Sequence, residues 1–211
     1  LLQCAGLSNM KRAYMECGGK SPNLVFADAH DLDGAAKAAA GGIFYNQGEV
    51  CTAASRLLVE RGIQEEFVAR VVEAGRKMQP RHPLEPGAPM GAMVDEGQTR
   101  RVLDYIGKGQ AEGARLALGG NRLQTVDGGC YIEPTVFDDV RPEHAISREE
   151  IFGPVLAVIP FDDEAQALRI ANDTEYGLAA GVWTANLSRA HRMARGLRAG
   201  SVWVNQYDGG D

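Results

Sequence analysis

The 211 residues predict an α/β architecture, a mostly parallel sheet flanked by helices, and three features carry that prediction. Short apolar runs alternate with longer stretches of helical period, the pattern of repeated strand and helix units. Glycine, at 26 of 211 residues, pairs up in Gly18-Gly19, Gly41-Gly42 and Gly119-Gly120, where chain turns and close backbone approach are favoured. Apolar residues make up 45% and charged residues 24%, which fits a chain with a packed core and excludes disordered and collagen-like classes. The length suits one domain or one and a half.

The elements follow in order. Asn23-Leu24-Val25-Phe26 is a short apolar run suited to a buried strand, and the acids between Asp28 and Asp31 offer N-caps for an alanine-rich helix over 32–44. Leu57-Leu58-Val59 is a second strand, followed by an amphipathic helix over 64–78 with Phe67, Val68, Val71, Val72 and Ala74 near one face. Residues 80–89 break regular structure between prolines. A helix over 100–113, a strand at Leu116-Ala117-Leu118 ended by Gly119-Gly120, and a polar loop over 121–130 come next. Residues 155–161 give the strongest strand signal, and Asp162-Asp163-Glu164 opens a helix through Ala171 with acids where the helix dipole favours them. A strand over 181–184, an Arg-rich helix capped by Ser188 and running to Arg198, and a strand over 201–204 complete the series.

Charge and composition narrow the function classes. Lys+Arg 22 against Asp+Glu 28 leaves a net charge of −6 and a pI near 5.3, which argues against a phosphate-backbone binder, so nucleic acid is not an expected partner. No run approaches the roughly 20 apolar residues of a membrane helix. The start at Leu1, without a basic segment, is neither a signal peptide nor a natural beginning, and a fragment is expected. Cys4, Cys17, Cys51 and Cys130 form no CxxC pair, which fits a reducing, cytoplasmic compartment. His30, His82, His144 and His191 are scattered, so no metal site is expected. Gly19-Lys20-Ser21 mimics the end of a phosphate-binding loop, but the glycine required five positions earlier is Tyr14.

Three segments contain residues that could carry chemistry. Cys51, in Asn46-Gln47-Gly48-Glu49-Val50-Cys51-Thr52, stands among small and polar residues in a loop, where backbone N–H groups favour a thiolate nucleophile; a buried structural thiol is the alternative. Glu16, set between apolar residues and a Gly-Gly turn, is a candidate base for activating water; the alternative is a strand-end carboxylate paired with Lys20. Glu149-Glu150-Ile151-Phe152-Gly153-Pro154 reads by itself as a helix end leading into a strand.

Together, Glu16-Cys17-Gly18-Gly19-Lys20-Ser21-Pro22-Asn23, Asn46-Gln47-Gly48-Glu49-Val50-Cys51 and Glu149-Glu150-Ile151-Phe152-Gly153-Pro154-Val155 closely resemble the NAD(P)-dependent aldehyde dehydrogenase superfamily. Ala171-Asn172-Asp173-Thr174-Glu175-Tyr176-Gly177-Leu178 and Ala199-Gly200-Ser201-Val202-Trp203-Val204-Asn205 extend the resemblance nearly from end to end. It implies a catalytic-domain fold over 19–211, with residues 1–18 as the last strand of a cofactor-binding domain that is otherwise missing, as is a C-terminal tail.

The resemblance also implies a reaction. Cys51 attacks an aldehyde, hydride passes to NAD or NADP, and water activated by Glu16 hydrolyses the thioester; dividing oxidation from hydrolysis replaces one difficult barrier by two easier ones. The matching positions make Glu150 a partner of the nicotinamide ribose, Phe152 an apolar contact of the cofactor and Cys17 a backbone neighbour of the nicotinamide, with Gln98 and Arg101 on the adenosine side. The loop from Asn205 would border the aldehyde entrance, with Asp208 and Asp211 as acids suited to a cationic or amide-bearing tail. The nearest likeness within the superfamily is to the ω-amino, γ-glutamylamino and guanidino butyraldehyde dehydrogenases of putrescine breakdown, with betaine-aldehyde-type substrates as the rival and a homo-oligomer expected at full length. Cys17, Glu49 and Arg101 stand where leucine, glutamine and lysine are more usual. Losing one oxyanion donor with the missing domain typically costs about 10²–10³ in rate. The 211 residues alone are therefore expected to be a poor dehydrogenase, at most a slow thiol esterase, or else a non-catalytic binding or structural remnant.

Overall fold

A computed structural model describes residues 1–124 and 128–208. Its centre is a seven-stranded sheet built from β1 (Pro22–Val25), β2 (Arg56–Glu60), β3 (Arg115–Leu118), β6 (Thr135–Asp138), β7 (Val155–Phe161), β8 (Ala179–Trp183) and β9 (Ser201–Val204), in the order β3-β6-β7-β2-β1-β8-β9. All neighbours are parallel except β3, which runs antiparallel to β6 at one edge. Two short strands, β4 (Arg122–Leu123) and β5 (Tyr131–Ile132), pair apart from it.

Both faces of the sheet are covered. On one lie α2 (Leu32–Phe44) and α3 (Gln64–Arg76), packed with Val25, Leu57, Val59, Leu156 and Val158. On the other, α4 (Glu96–Ala111), α5 (Ala145–Arg148), α6 (Glu164–Asn172) and α7 (Leu187–Gly196) close over Leu24, Leu58, Ala157 and Ile159. Successive strand residues thus enter opposite cores, which is why the central strands read as unbroken apolar runs rather than alternating ones. Asp31, Asp95 and Asp163 cap α2, α4 and α6 by accepting the N–H groups of Gly34, Gln98 and Gln166 at 2.8, 2.8 and 2.7 Å.

Several boundaries differ from the sequence expectation. α4 starts at Glu96 because Asp95 caps it, although its polar first turn carries no apolar period. α7 is capped by Asn186, whose side chain accepts Arg189 N–H at 3.0 Å, and Ser188 lies inside the helix. The expected polar loop over 121–130 contains β4, and 125–127 of it lie outside the described residues. β6 was not foreseen; it ends on two buried polar residues, Thr135 and Asp138, the latter paired with Arg115, and this hides its apolar period. Residues 1–18, expected as the last strand of a cofactor-binding domain, here comprise the five-residue helix α1 (Leu2–Gly6) and an exposed irregular segment.

Candidate active site

The topology explains how three distant segments meet. β7, β2 and β1 are adjacent and parallel, so the chain enters all three from the same end of the sheet. Residues 149–154 lead into β7, 51–55 into β2 and 16–21 into β1.

Cys51 is half-buried, not packed away as a structural thiol. It follows a 3-10 turn, Tyr45–Gly48, in which Asn46 and Gln47 take left-handed φ values of 48° and 57°. Such backbone is costly without glycine and persists only when neighbours hold it. Here Asn46 Nδ2 donates to the Glu49 carbonyl at 3.0 Å, Gln47 Oε1 accepts Gly91 N–H at 3.0 Å, and Glu49 Oε1 accepts Val94 N–H at 3.1 Å. Gly48 has φ +72°, and a Cβ there would stand 2.3 Å from the Gly153 carbonyl oxygen, so this turn is fitted to the loop before β7.

Gly18 and Gly19 complete the junction. A Cβ on Gly19 would lie 2.3 Å from the Cys51 carbonyl oxygen, and one on Gly18 would lie 2.4 Å from Glu150 Oε2. Gly19 N–H donates to Glu150 Oε1 at 2.9 Å. At Gly19 glycine is required because the backbone itself is the contact surface. Glu16 and Cys17 stand just upstream, both exposed. Glu16 does not pair with Lys20, as the alternative reading had it: Lys20 is fully buried and its Nζ has no hydrogen-bond partner. Burial, and then the Arg56 guanidinium beside it, lower the Lys20 amine from 10.5 to about 7 against the pull of Glu150 and Glu149.

Glu150 is half-buried and Phe152 is 40% exposed on a left-handed backbone, φ 58°. Gln98 and Arg101, from α4, hold this rim from behind: Gln98 Nε2 donates to the Ile151 and Phe152 carbonyls at 2.9 and 2.7 Å, and Arg101 Nη2 to the Glu150 carbonyl at 2.8 Å. Their hydrogen bonds go to the loop's own backbone. Asn205 is likewise engaged, its amide bridging both backbone groups of Thr184 at 3.0 and 3.1 Å. Asp208 is exposed with φ 53°, and Asp211 lies outside the described residues.

Tyr207 escaped the sequence reading, although Asn205 and Asp208 on either side of it were singled out. Its hydroxyl donates to the Thr52 carbonyl at 2.7 Å, next to Cys51, and its ring lies 5.0 Å from that of Trp203. Burial pushes the phenol well above its ordinary value. An aromatic side chain with a polar tip, beyond the last strand, was the available signal. Among the described residues no group of three or more His, Cys, Asp or Glu could hold a metal ion, and no helix is long and apolar enough to cross a membrane.

A thiol on a constrained turn, a glycine pair pressed against it and a carboxylate-aromatic rim thus meet where the chain enters β1, β2 and β7. Residues 1–211 match the model of the Aldehyde dehydrogenase family, and the chain belongs to that family. It is 52% identical over 211 residues to the NADP/NAD-dependent aldehyde dehydrogenase PuuC of Escherichia coli (strain K12), covering 100% of this chain and 42% of that protein. The crystal structure of the aldehyde dehydrogenase KauB from Pseudomonas aeruginosa aligns with a TM-score of 0.95 at 60% identity, over 100% of this chain and 42% of that one. The γ-glutamyl-γ-aminobutyraldehyde dehydrogenase from Burkholderia cenocepacia J2315 aligns with a TM-score of 0.94 at 58% identity, over 99% and 42%. The chain therefore spans less than half the length of these relatives.

Proposed function

We propose that this chain is the thiol-bearing part of an NAD(P)-dependent dehydrogenase that oxidises an ω-amino or γ-glutamylamino butyraldehyde to the acid. The observation that carries the proposal is the junction of Cys51, Gly18-Gly19 and Glu150 at one end of the sheet. Cys51 Sγ adds to the aldehyde carbon to give a thiohemiacetal, and loss of hydride from that carbon together with the hydroxyl proton, which passes to solvent, leaves a thioester. Glu16 takes a proton from water, which attacks the thioester and releases the acid and the Cys51 thiol.

Bound NAD(P)+ would supply the hydride acceptor. The rim fits its nicotinamide ribose: the Glu150 carboxylate accepts one hydrogen bond within the described residues, from Gly19, which leaves acceptor capacity for ribose hydroxyls, and the half-exposed Phe152 ring offers an apolar face. The substrate class is supported by the Burkholderia relative's name and by the exposed acid Asp208 beyond β9.

In the whole protein, Cys51→Ala abolishes NAD(P)H formation. Glu16→Gln keeps a stoichiometric burst of NAD(P)H and slows the steady state by about 10²–10⁴. Ordinary turnover by Cys51→Ala would remove Cys51 from the chemistry.

A further inference from the structure

The chemistry above leaves unused the buried amine that precedes β1. Lys20 is 1% exposed, and no donor or acceptor meets its Nζ. A desolvated ammonium without a partner holds its proton weakly, so this side chain changes charge where an ordinary lysine does not. Arg56, from the start of β2, opposes the charged form; Glu149 and Glu150, from the loop between α5 and β7, favour it. Tyr176 and Arg198, from the connections into β8 and β9, line the same small cavity as Lys20. The balance leaves the amine at about 7.

Geometry links this amine to the rim. Gly19, the residue before Lys20, donates its N–H to Glu150 Oε1, and the neighbouring Glu149 Oε2 accepts the Tyr105 hydroxyl at 2.6 Å. Glu150 is thus tethered to the glycine pair and Glu149 to α4. We propose that Lys20 is a positioning residue for Glu150: its ammonium form draws the Glu150 carboxylate onto the glycine pair and firms the dinucleotide contact, and its neutral form releases that pull. The inference rests on Glu150 being a cofactor-rim residue. The only covalent change is the Nζ proton, exchanged with solvent.

The test is NAD+ binding to the whole protein, followed by tryptophan fluorescence from pH 6 to pH 8. By linkage, a contact that favours the ammonium by half to one pK unit weakens NAD+ binding about three- to tenfold across that range, with a midpoint near 7. Lys20→Met flattens the profile. Glu149→Gln, which removes a charge favouring the ammonium, keeps the weakening and moves its midpoint to lower pH. A flat parent profile, an unchanged profile in Lys20→Met or an unmoved midpoint in Glu149→Gln overturns the role of Lys20. No NAD+ binding by the parent at any pH overturns instead the assignment of Glu150 to the rim.

Discussion

Two neighbouring parallel strands, β1 and β2, each have a buried cation at their entrance, and the two cations are treated in opposite ways. Arg56 directs Nε to the Lys20 carbonyl at 2.8 Å, Nη1 to the Ile170 carbonyl at 2.9 Å and Nη2 to the Ala171 carbonyl at 2.8 Å. Lys20 supplies only its backbone carbonyl to that arrangement, and its Nζ has no partner. Burial lowers both groups, the guanidinium to about 10 and the amine to about 7. Burial alone therefore does not make a charge structural. The fork geometry of guanidinium lets it satisfy carbonyls from β1's approach and α6 together, whereas a point charge on a flexible stem here meets none.

Arg56→Met is the most severe test of that contrast. It strips three buried carbonyls of their charged donor, and at about 1.5–3 kcal/mol for each such bond the loss is about 5–9 kcal/mol, read as a large fall in the denaturant midpoint of the whole protein. The Arg56→Lys variant recovers little, because one ammonium cannot span the three acceptors. Full recovery by lysine would break the comparison.

Lys20→Met is expected to act with the opposite sign. The folded amine sits below its unfolded value, so as pH falls from about 10.5 to about 7 the unfolded chain takes up the proton first and the folded state loses stability. Below pH 7 that loss nears completion, at about 5 kcal/mol. Methionine fills similar volume without the charge, so the variant is more stable than the parent at pH 6–7, and the gap closes as the pH rises toward 10. Denaturation midpoints of the two proteins at several pH values read this directly. A gap that widens with pH would mean that Lys20 is held charged by an unseen partner.

The same contrast shows what a sequence displays and what it hides. β1, β2 and β7 were legible because residues such as Leu24 and Val25, or Leu57 and Leu58, enter opposite cores and leave no polar interruption. β4, β5 and β6 were not: two are only two residues long, and β6 carries Thr135 and Asp138 inward. At the site, the motif around Cys51 and the acids Glu16 and Glu150 stood out by residue type and spacing. The burial of Lys20 and Arg56 did not, because lysine and arginine are mostly exposed, and only the packing of β1, β2 and α6 makes these two buried. Gln98 and Arg101 were noticed, but that their side chains reach the backbone of residues 150–152 depends on how α4 lies against that loop, which no local pattern encodes.

Tyr207→Phe gives the smallest effect and sharpens the comparison from the other side of Cys51. Like Arg56, the half-buried phenol has its partner in place, the Thr52 carbonyl, and its ring rests against Gly42 and Gly181. Removing the hydroxyl leaves the ring packing intact and deletes one neutral hydrogen bond, so the loss is about 1 kcal/mol, a fraction of that for Arg56 because a single uncharged donor is involved. Thr52 follows Cys51 directly, so the turn carrying the thiol also loses an anchor. The alkylation rate of Cys51 by iodoacetamide then changes while NAD+ affinity, which depends on the Glu150 rim, stays constant. A change in NAD+ affinity equal to the change in alkylation would show that the thiol turn and the rim move as one body.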